Sequence, residues 1–238
     1  MTDLHTHILP GMDDGARDVS ESIALLRMEY EQGVKTVVLT PHFYRERENP
    51  EHFLQRRRKA GLELSRALSE LSDEECRRLP QTLLLGAEVT YVPGMAGWDE
   101  LPDLCIQGTK NLLLELPFRT WSAHMIDEIY DLISRTGITP VIAHLERYLS
   151  IQRPELIQEI LSLGVPVQIT GDVLSRFFGR GAAMNLLKGR GERLIASDCH
   201  NCAKRPPVMK TAFRVLEKKL GADRVTALLR CADELAGI

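Results

Sequence analysis

Five histidines and four carboxylates stand at matching places in this chain: His5, His7, His42, His144 and His200, with Asp14, Glu88, Glu115 and Asp198. Most of them close a short apolar run, as in "DLHTH", "TVVLTPH", "LLLEL", "TPVIAH" and "LIASDCH". Residues i and i+2 of an extended strand share a face, so His5 and His7 point the same way. Asp198 and His200 repeat that spacing. Asp3 shares the face of His5 and His7 one step deeper and reads as a hydrogen-bond partner of ligands rather than a ligand. Four ligands saturate a tetrahedral zinc, so nine donors are too many for one ion. Imidazole with carboxylate and no thiolate suits manganese, iron or zinc, here as two or three ions with a bridging carboxylate. Three divalent ions outweigh four carboxylates, and the pocket then calls for an anion. A phosphate ester fits, because such clusters activate water for in-line attack on phosphorus.

The elements that must position these residues alternate. Strands are expected at residues 3–8, 36–40, 82–89, 112–116, 139–143, 165–170 and 194–197. Helices are expected at residues 20–32, 50–71, 122–135, 154–163, 208–220 and 223–235. The first has capping-box spacing at Asp18 and Glu21 and a stop at Gly33. Such alternation implies a parallel sheet with crossovers of one hand. About seven units in this length, with no linker or low-complexity break, fit one barrel domain over residues 1–238 better than an open sheet. A β/α barrel builds its active site at the C-terminal ends of the strands, where the ligand types above fall.

Composition narrows the class. Of 238 residues, 44% are hydrophobic and 26% charged, enough for a sizeable core, and the net charge of −3 gives no field to gather nucleic acid. No apolar run is long enough to span a bilayer and no export signal precedes the first strand, so no membrane insertion is expected. Five cysteines, an odd number, then read as reduced thiols in the cytoplasm.

The motifs "DLHTHILPGMDDGA", "TPHF", "GAEVTY", "LLLELPF", "VIAHLERY" and "IASDCHN…KRPP" resemble, in order and spacing, the polymerase and histidinol phosphatase (PHP) superfamily, and within it the capsule-operon tyrosine-protein phosphatases. The resemblance spans nearly the whole chain. It implies a distorted, TIM-like (β/α)7 barrel with three metals, usually manganese. One metal would be held by His5, His7, Glu88 and Asp198. A second would be held by Glu88, Glu115 and His144, and a third by Asp14, His42 and His200. Arg147 and Arg205 match two arginines that grip phosphate, for which a guanidinium fork is suited. Of the adjacent pair, Asp14 is the ligand by register, and Asp13 is expected on loop amides with Gly15 allowing the turn. The chain departs from the family at Leu145, where proline is common, and in "QITGDVLSRFFGR".

The implied activity is hydrolysis of phosphotyrosine by a metal-bridging hydroxide, on the tail of a bacterial tyrosine kinase controlling capsule or exopolysaccharide synthesis. A small-molecule phosphatase of the histidinol-phosphate type is the alternative, against which Asp14 argues, since that branch tends to use histidine there. A non-catalytic metal-bound scaffold in a polysaccharide export complex is the reading from another class. Cys199 and Arg205 have Cys-x5-Arg spacing, but "CHNCAKR" lacks the glycine-rich loop of a thiol phosphatase, and Cys199-x-x-Cys202 has no second pair to make a zinc site. Arg147 could instead pair with Glu146. Arg56–Lys59 reads as a solvated helix face. Trp98 and Trp121 are either packing or the lining of the site's mouth.

Overall fold

In the computed structural model, which describes residues 1–176 and 178–238, every strand pairing is parallel. Strands β1 (Thr2–Thr6), β2 (Thr36–Leu39) and β4 (Thr82–Leu85) form one sheet in the order β1-β2-β4. Strands β3 (His42–Phe43), β5 (Glu88–Thr90), β6 (Asn111–Glu115), β7 (Thr139–Ile142), β8 (Val167–Thr170) and β9 (Arg193–Ala196) form the other, in that order. The sheets meet where β1 passes the end of β9. There the His7 N–H donates to the Cys199 carbonyl and the Asp198 N–H to the His5 carbonyl, each at 2.9 Å.

The run 82–89 was expected as one strand and is two. Its halves, β4 and β5, belong to different sheets and are divided at Gly86 and Ala87. A Cβ at Gly86 would stand 3.2 Å from Thr40 Cγ2 and Val38 Cγ1, a tight contact that glycine avoids where the chain crosses close to its neighbour. Pro41 divides β2 from β3 at the same level, where its missing N–H ends the ladder.

The main helices are α1 (Val19–Glu31), α2 (Pro50–Ser69), α5 (Ala123–Thr136), α6 (Pro154–Ser162), α7 (Arg180–Lys188), α8 (Met209–Leu220) and α9 (Ala222–Leu235); α3 (Asp73–Cys76) and α4 (Leu101–Leu104) are single turns. Sequence periodicity leaves α7 out, because its apolar residues sit among three glycines. Asp18 caps α1 by accepting from the Glu21 N–H, but the Glu21 carboxylate turns to Arg17, so the reciprocal half of a capping box is not made. An inner core of Leu4, Val38, Leu113, Val141 and Leu194 is closed by Cys231, Ala232 and Leu235 of α9. The contacts of α9 to Thr2 and Asn111 place it under the N-terminal ends of the strands, leaving the opposite end to the ligand types. Among the described residues no helix is long and apolar enough to cross a membrane.

Candidate metal centre

The nine expected ligand residues gather at the C-terminal ends of the strands. His5 and His7 lie fully buried at the end of β1. The His5 Nδ1 faces Gln168 Oε1 at 3.2 Å, and the His7 Nδ1 faces Asp13 Oδ2 at 2.7 Å. As neutral rings both donate through Nδ1 and present Nε2 lone pairs, and the two Nε2 atoms stand 3.1 Å apart. Two acceptors that close repel unless a cation lies between them. Glu88 Oε2 is 3.2 Å from His5 Nε2 and 3.3 Å from His7 Nε2, while Asp198 Oδ1 is 3.6 and 3.4 Å from them. Those edges suit a tetrahedron of about 2.0–2.2 Å bonds.

Two further groups adjoin this one. The His144 Nε2 lies 2.8 Å from Glu88 Oε1 and 3.6 Å from Glu115 Oε1. Thr90 Oγ1 donates to the other Glu115 oxygen. On the other side, Asp14 Oδ1 is 3.7 Å from His42 Nε2 and 3.4 Å from His200 Nε2. The His200 Nδ1 donates to the Asp198 carbonyl, which leaves an Nε2 lone pair facing the Asp14 carboxylate, two acceptors with no proton between them. His42 faces both ways, with its Nδ1 2.9 Å from Glu88 Oε2.

The donors fit divalent ions on their own terms. His200 Nε2 is buried without a hydrogen-bond partner, and Glu88 Oε2 and His42 Nδ1, though 2.9 Å apart, make no contact of hydrogen-bond geometry, which is costly unless something else satisfies them. Burial opposes charge on His7, but the Asp13 carboxylate and its neighbours raise its pKa well above the usual imidazole value. Burial is likewise overcome at Glu88 and Asp198, which the histidines hold well below the usual carboxylate range. A site that draws protons this way also draws metal cations. His144 is pushed down by burial, and His200 by burial and His7 to about 4, so both imidazoles are neutral at physiological pH, the form in which a histidine can ligate. His144 and Asp198 adopt left-handed backbone, φ 34° and 53°, a strain concentrated on two residues of the cluster.

Arg147 and Arg205 reach the cluster from one side. Both donate to Asp198 Oδ2, Arg205 at 2.8 Å, while the other Asp198 oxygen faces His5 and His7. The partner of Arg147 is thus Asp198 and not Glu146, whose carboxyl is pushed up by burial to about 7. Both arginines line a cleft of about 930 Å³ that opens beside the ligands.

Other expectations change on inspection. Asp13 does more than brace its loop: it accepts from Gly15 and His42 N–H groups and orients His7. A Cβ on Gly15 would fall 2.0 Å from the His7 carbonyl oxygen, so the loop folds back only because that residue is glycine. Arg56 and Arg57 are not a solvated face. Arg56 pairs with Glu48 and donates to the Met12 carbonyl beside Asp13, and Arg57 binds the Gly86 and Asp103 carbonyls. Trp121 is packing, buried against Tyr148, and Trp98 packs edge-on to Phe43; neither is the aromatic beside the ligands. The aromatics there are Phe118, more than half exposed and stacked 6.0 Å from the His144 ring, Tyr148 at 5.7 Å from the same ring, and Tyr44, stacked 5.1 Å from the His42 ring. The Cys199 thiol is buried, pushed well up in pKa, and donates to Glu29, so it is no thiolate nucleophile. Gln168 is the residue that pattern reading missed: it also accepts the His144 N–H at 2.6 Å. A lone polar side chain amid the apolar strand "VPVQIT" was its signal.

The order of these ligand-bearing strands and the loops between them define a protein class. The chain belongs to the family described as capsular polysaccharide synthesis, CpsB/CapC, which it matches over residues 1–234. It is 32% identical to the tyrosine-protein phosphatase YwqE of Bacillus subtilis, over 94% of this chain and 86% of that one. It is also 32% identical to the tyrosine-protein phosphatase CpsB of Streptococcus pneumoniae, over 96% of this chain and 94% of that one. A solved structure from work on YwqE and CpsB, described there as unique metal-dependent tyrosine phosphatases, superposes with a TM-score of 0.84 at 30% identity, covering all of this chain and 94% of the other.

Proposed function

We propose that this chain is a metal-dependent protein-tyrosine phosphatase of the capsule-synthesis type. The observation that carries the reading is the pair of facing Nε2 lone pairs of His5 and His7, closed by Glu88 and Asp198, with Arg147 and Arg205 on the outer oxygen of Asp198. His5, His7, Glu88 and Asp198 would hold one ion; Glu88, Glu115 and His144 a second; Asp14, His42 and His200 a third. Manganese is the ion we favour, with iron or zinc as alternatives for an imidazole and carboxylate set. When bound, such ions supply charge neutralisation at phosphate and acidify water, the chemistry of in-line hydrolysis.

The chain's own residues do the rest. Arg147 and Arg205 exchange Asp198 Oδ2 for phosphate oxygens and orient the ester. Phe118, beside His144, offers a ring face to an aryl group. Asp13 and Gln168 hold His7 and His5 in the tautomer whose Nε2 accepts. The substrate we propose is a phosphotyrosine-bearing protein, the tail of a bacterial tyrosine kinase. A cytoplasmic location would keep the five cysteines reduced, and all of them are free. Residues 1–238 would form one PHP-type domain, a distorted (β/α)7 barrel whose sheets join at Thr6 and Cys199.

The test is turnover of a phosphotyrosyl peptide against histidinol phosphate by the manganese-loaded protein. A preference for the peptide supports the reading. Preference for histidinol phosphate would make this a small-molecule phosphatase, and no turnover of any phosphate ester would leave a metal-bound scaffold.

A further inference from the structure

The reaction cleft does not end at the arginines. Leu149 and Ala182 line it and also line a second groove, of about 610 Å³, between α6 and α7. That volume is in the range of cavities that hold ligands. Ile157 and Leu161 of α6 and Leu186 of α7 give the groove apolar walls. At its far end lies Arg193, the first residue of β9.

Arg193 is 5% exposed, yet among the described residues no carboxylate pairs with it. Its Nη1 donates to the Glu192 carbonyl, and its buried Nε has no partner. The charged neighbour that acts on it most is Arg224, itself committed to the Leu187 and Gly189 carbonyls. A buried cation beside another cation, with no counter-ion, is destabilising. Among the described residues the Glu192 carbonyl is its one hydrogen-bond partner, and an incoming anion would supply the missing counter-charge. Exposed Arg190 lines the same end of the groove and adds to its positive charge.

The distance to the catalytic centre sets a register. Arg193 and Asp198 are five residues apart along β9 and the turn after it, roughly 17 Å at strand rise. An extended peptide covers that span in about five residues.

We propose that this groove docks the polypeptide of the phosphotyrosyl substrate. An apolar side chain lies between α6 and α7, and a carboxylate about five residues from the phosphotyrosine pairs with Arg193. The inference rests on the phosphatase reading above. Its support is the groove's continuity with the reaction cleft through Leu149 and Ala182, and the charge it leaves uncompensated.

The experiment compares free phosphotyrosine with phosphopeptides of equal length. One set carries leucine and then glutamate four to six positions from the phosphotyrosine, on either side; the other carries alanine and lysine there. The wild type is expected to favour the acidic set by about tenfold in kcat/KM, mainly through KM. Arg193→Met should abolish that preference while the protein melts at the same or a higher temperature. Ala182→Trp, at an exposed helix position in the neck between the clefts, should reduce the preference too, and decides the matter should Arg193→Met not fold. Equal turnover of the two sets by the wild type, or a preference that survives in folded variants, overturns the docking subsite. No hydrolysis of free phosphotyrosine or of either peptide set by the wild type would instead sink the phosphatase reading on which it rests.

Discussion

The two ends of the ligand cluster are built differently. Around His5 and His7 everything is buried, and each ring is held from behind, by Gln168 and by Asp13. Around Asp14, His42 and His200 the ligand atoms stand 3.4–3.7 Å apart, and the Asp14 side chain is 68% exposed. The first group is set before any ion arrives, because strand backbone and hydrogen bonds fix it. The second depends on a carboxylate carried by a loop and exposed to solvent. Tight, slow-leaving metal is expected at the first group and weaker, exchangeable metal at the second.

The largest expected effect is at the shared wall. Asp198→Asn removes charge that faces His5, His7 and both arginines, so metal content and turnover should fall together. The loss should exceed the roughly 100-fold typical of a residue that only supports a ligand. Metal analysis beside kinetics checks it, and near-normal metal content would break the comparison. Asp14→Ala comes next: it should strip one ion while leaving those at His5 and His7, with most activity lost. If it stripped every ion, the two ends would not be independent.

The supporting residues should cost less. Gln168→Leu and Asp13→Ala are each expected to weaken metal binding by about 10- to 100-fold. Asp13→Ala should affect both ends, since its carboxylate binds His7 and the His42 N–H. A purely loop-bracing Asp13 would change neither affinity. The smallest effect is on pH dependence. His7, raised in pKa without metal, must lose its proton before Nε2 can ligate. Apparent affinity at the buried end should therefore rise with pH through and above the usual imidazole range, with proton release on binding. His200, lowered to about 4, carries no proton to displace, so the exposed end should vary less between pH 6 and 8. Isothermal titration in buffers of different ionisation enthalpy would separate the two.

The same contrast explains what the sequence discloses. His5, His7, His144 and Asp198 were legible because they terminate apolar strand runs, and a parallel β/α array exposes chemistry only there. The Asp14 reading needed family register, since nothing in "MDD" distinguishes the two aspartates. The role of Asp13 depends on a backbone reversal that Gly15 permits, a three-dimensional closeness that spacing does not record. The division of the sheet at Pro41 and Gly86 was hidden because the apolar run 82–89 continues across it. Arg56 looked solvent-facing because its partners, Glu48 and the Met12 carbonyl, come from a turn and from a distant loop.

The central claim is that activity belongs to ions held by this cluster. Its most direct test is to strip the protein with a chelator, return manganese in measured equivalents, and follow both bound metal and phosphotyrosyl-peptide hydrolysis. The expected result is no turnover in the stripped protein and recovery that completes only as a third ion binds per chain. Full turnover by the stripped protein, or recovery complete at one ion, would contradict it.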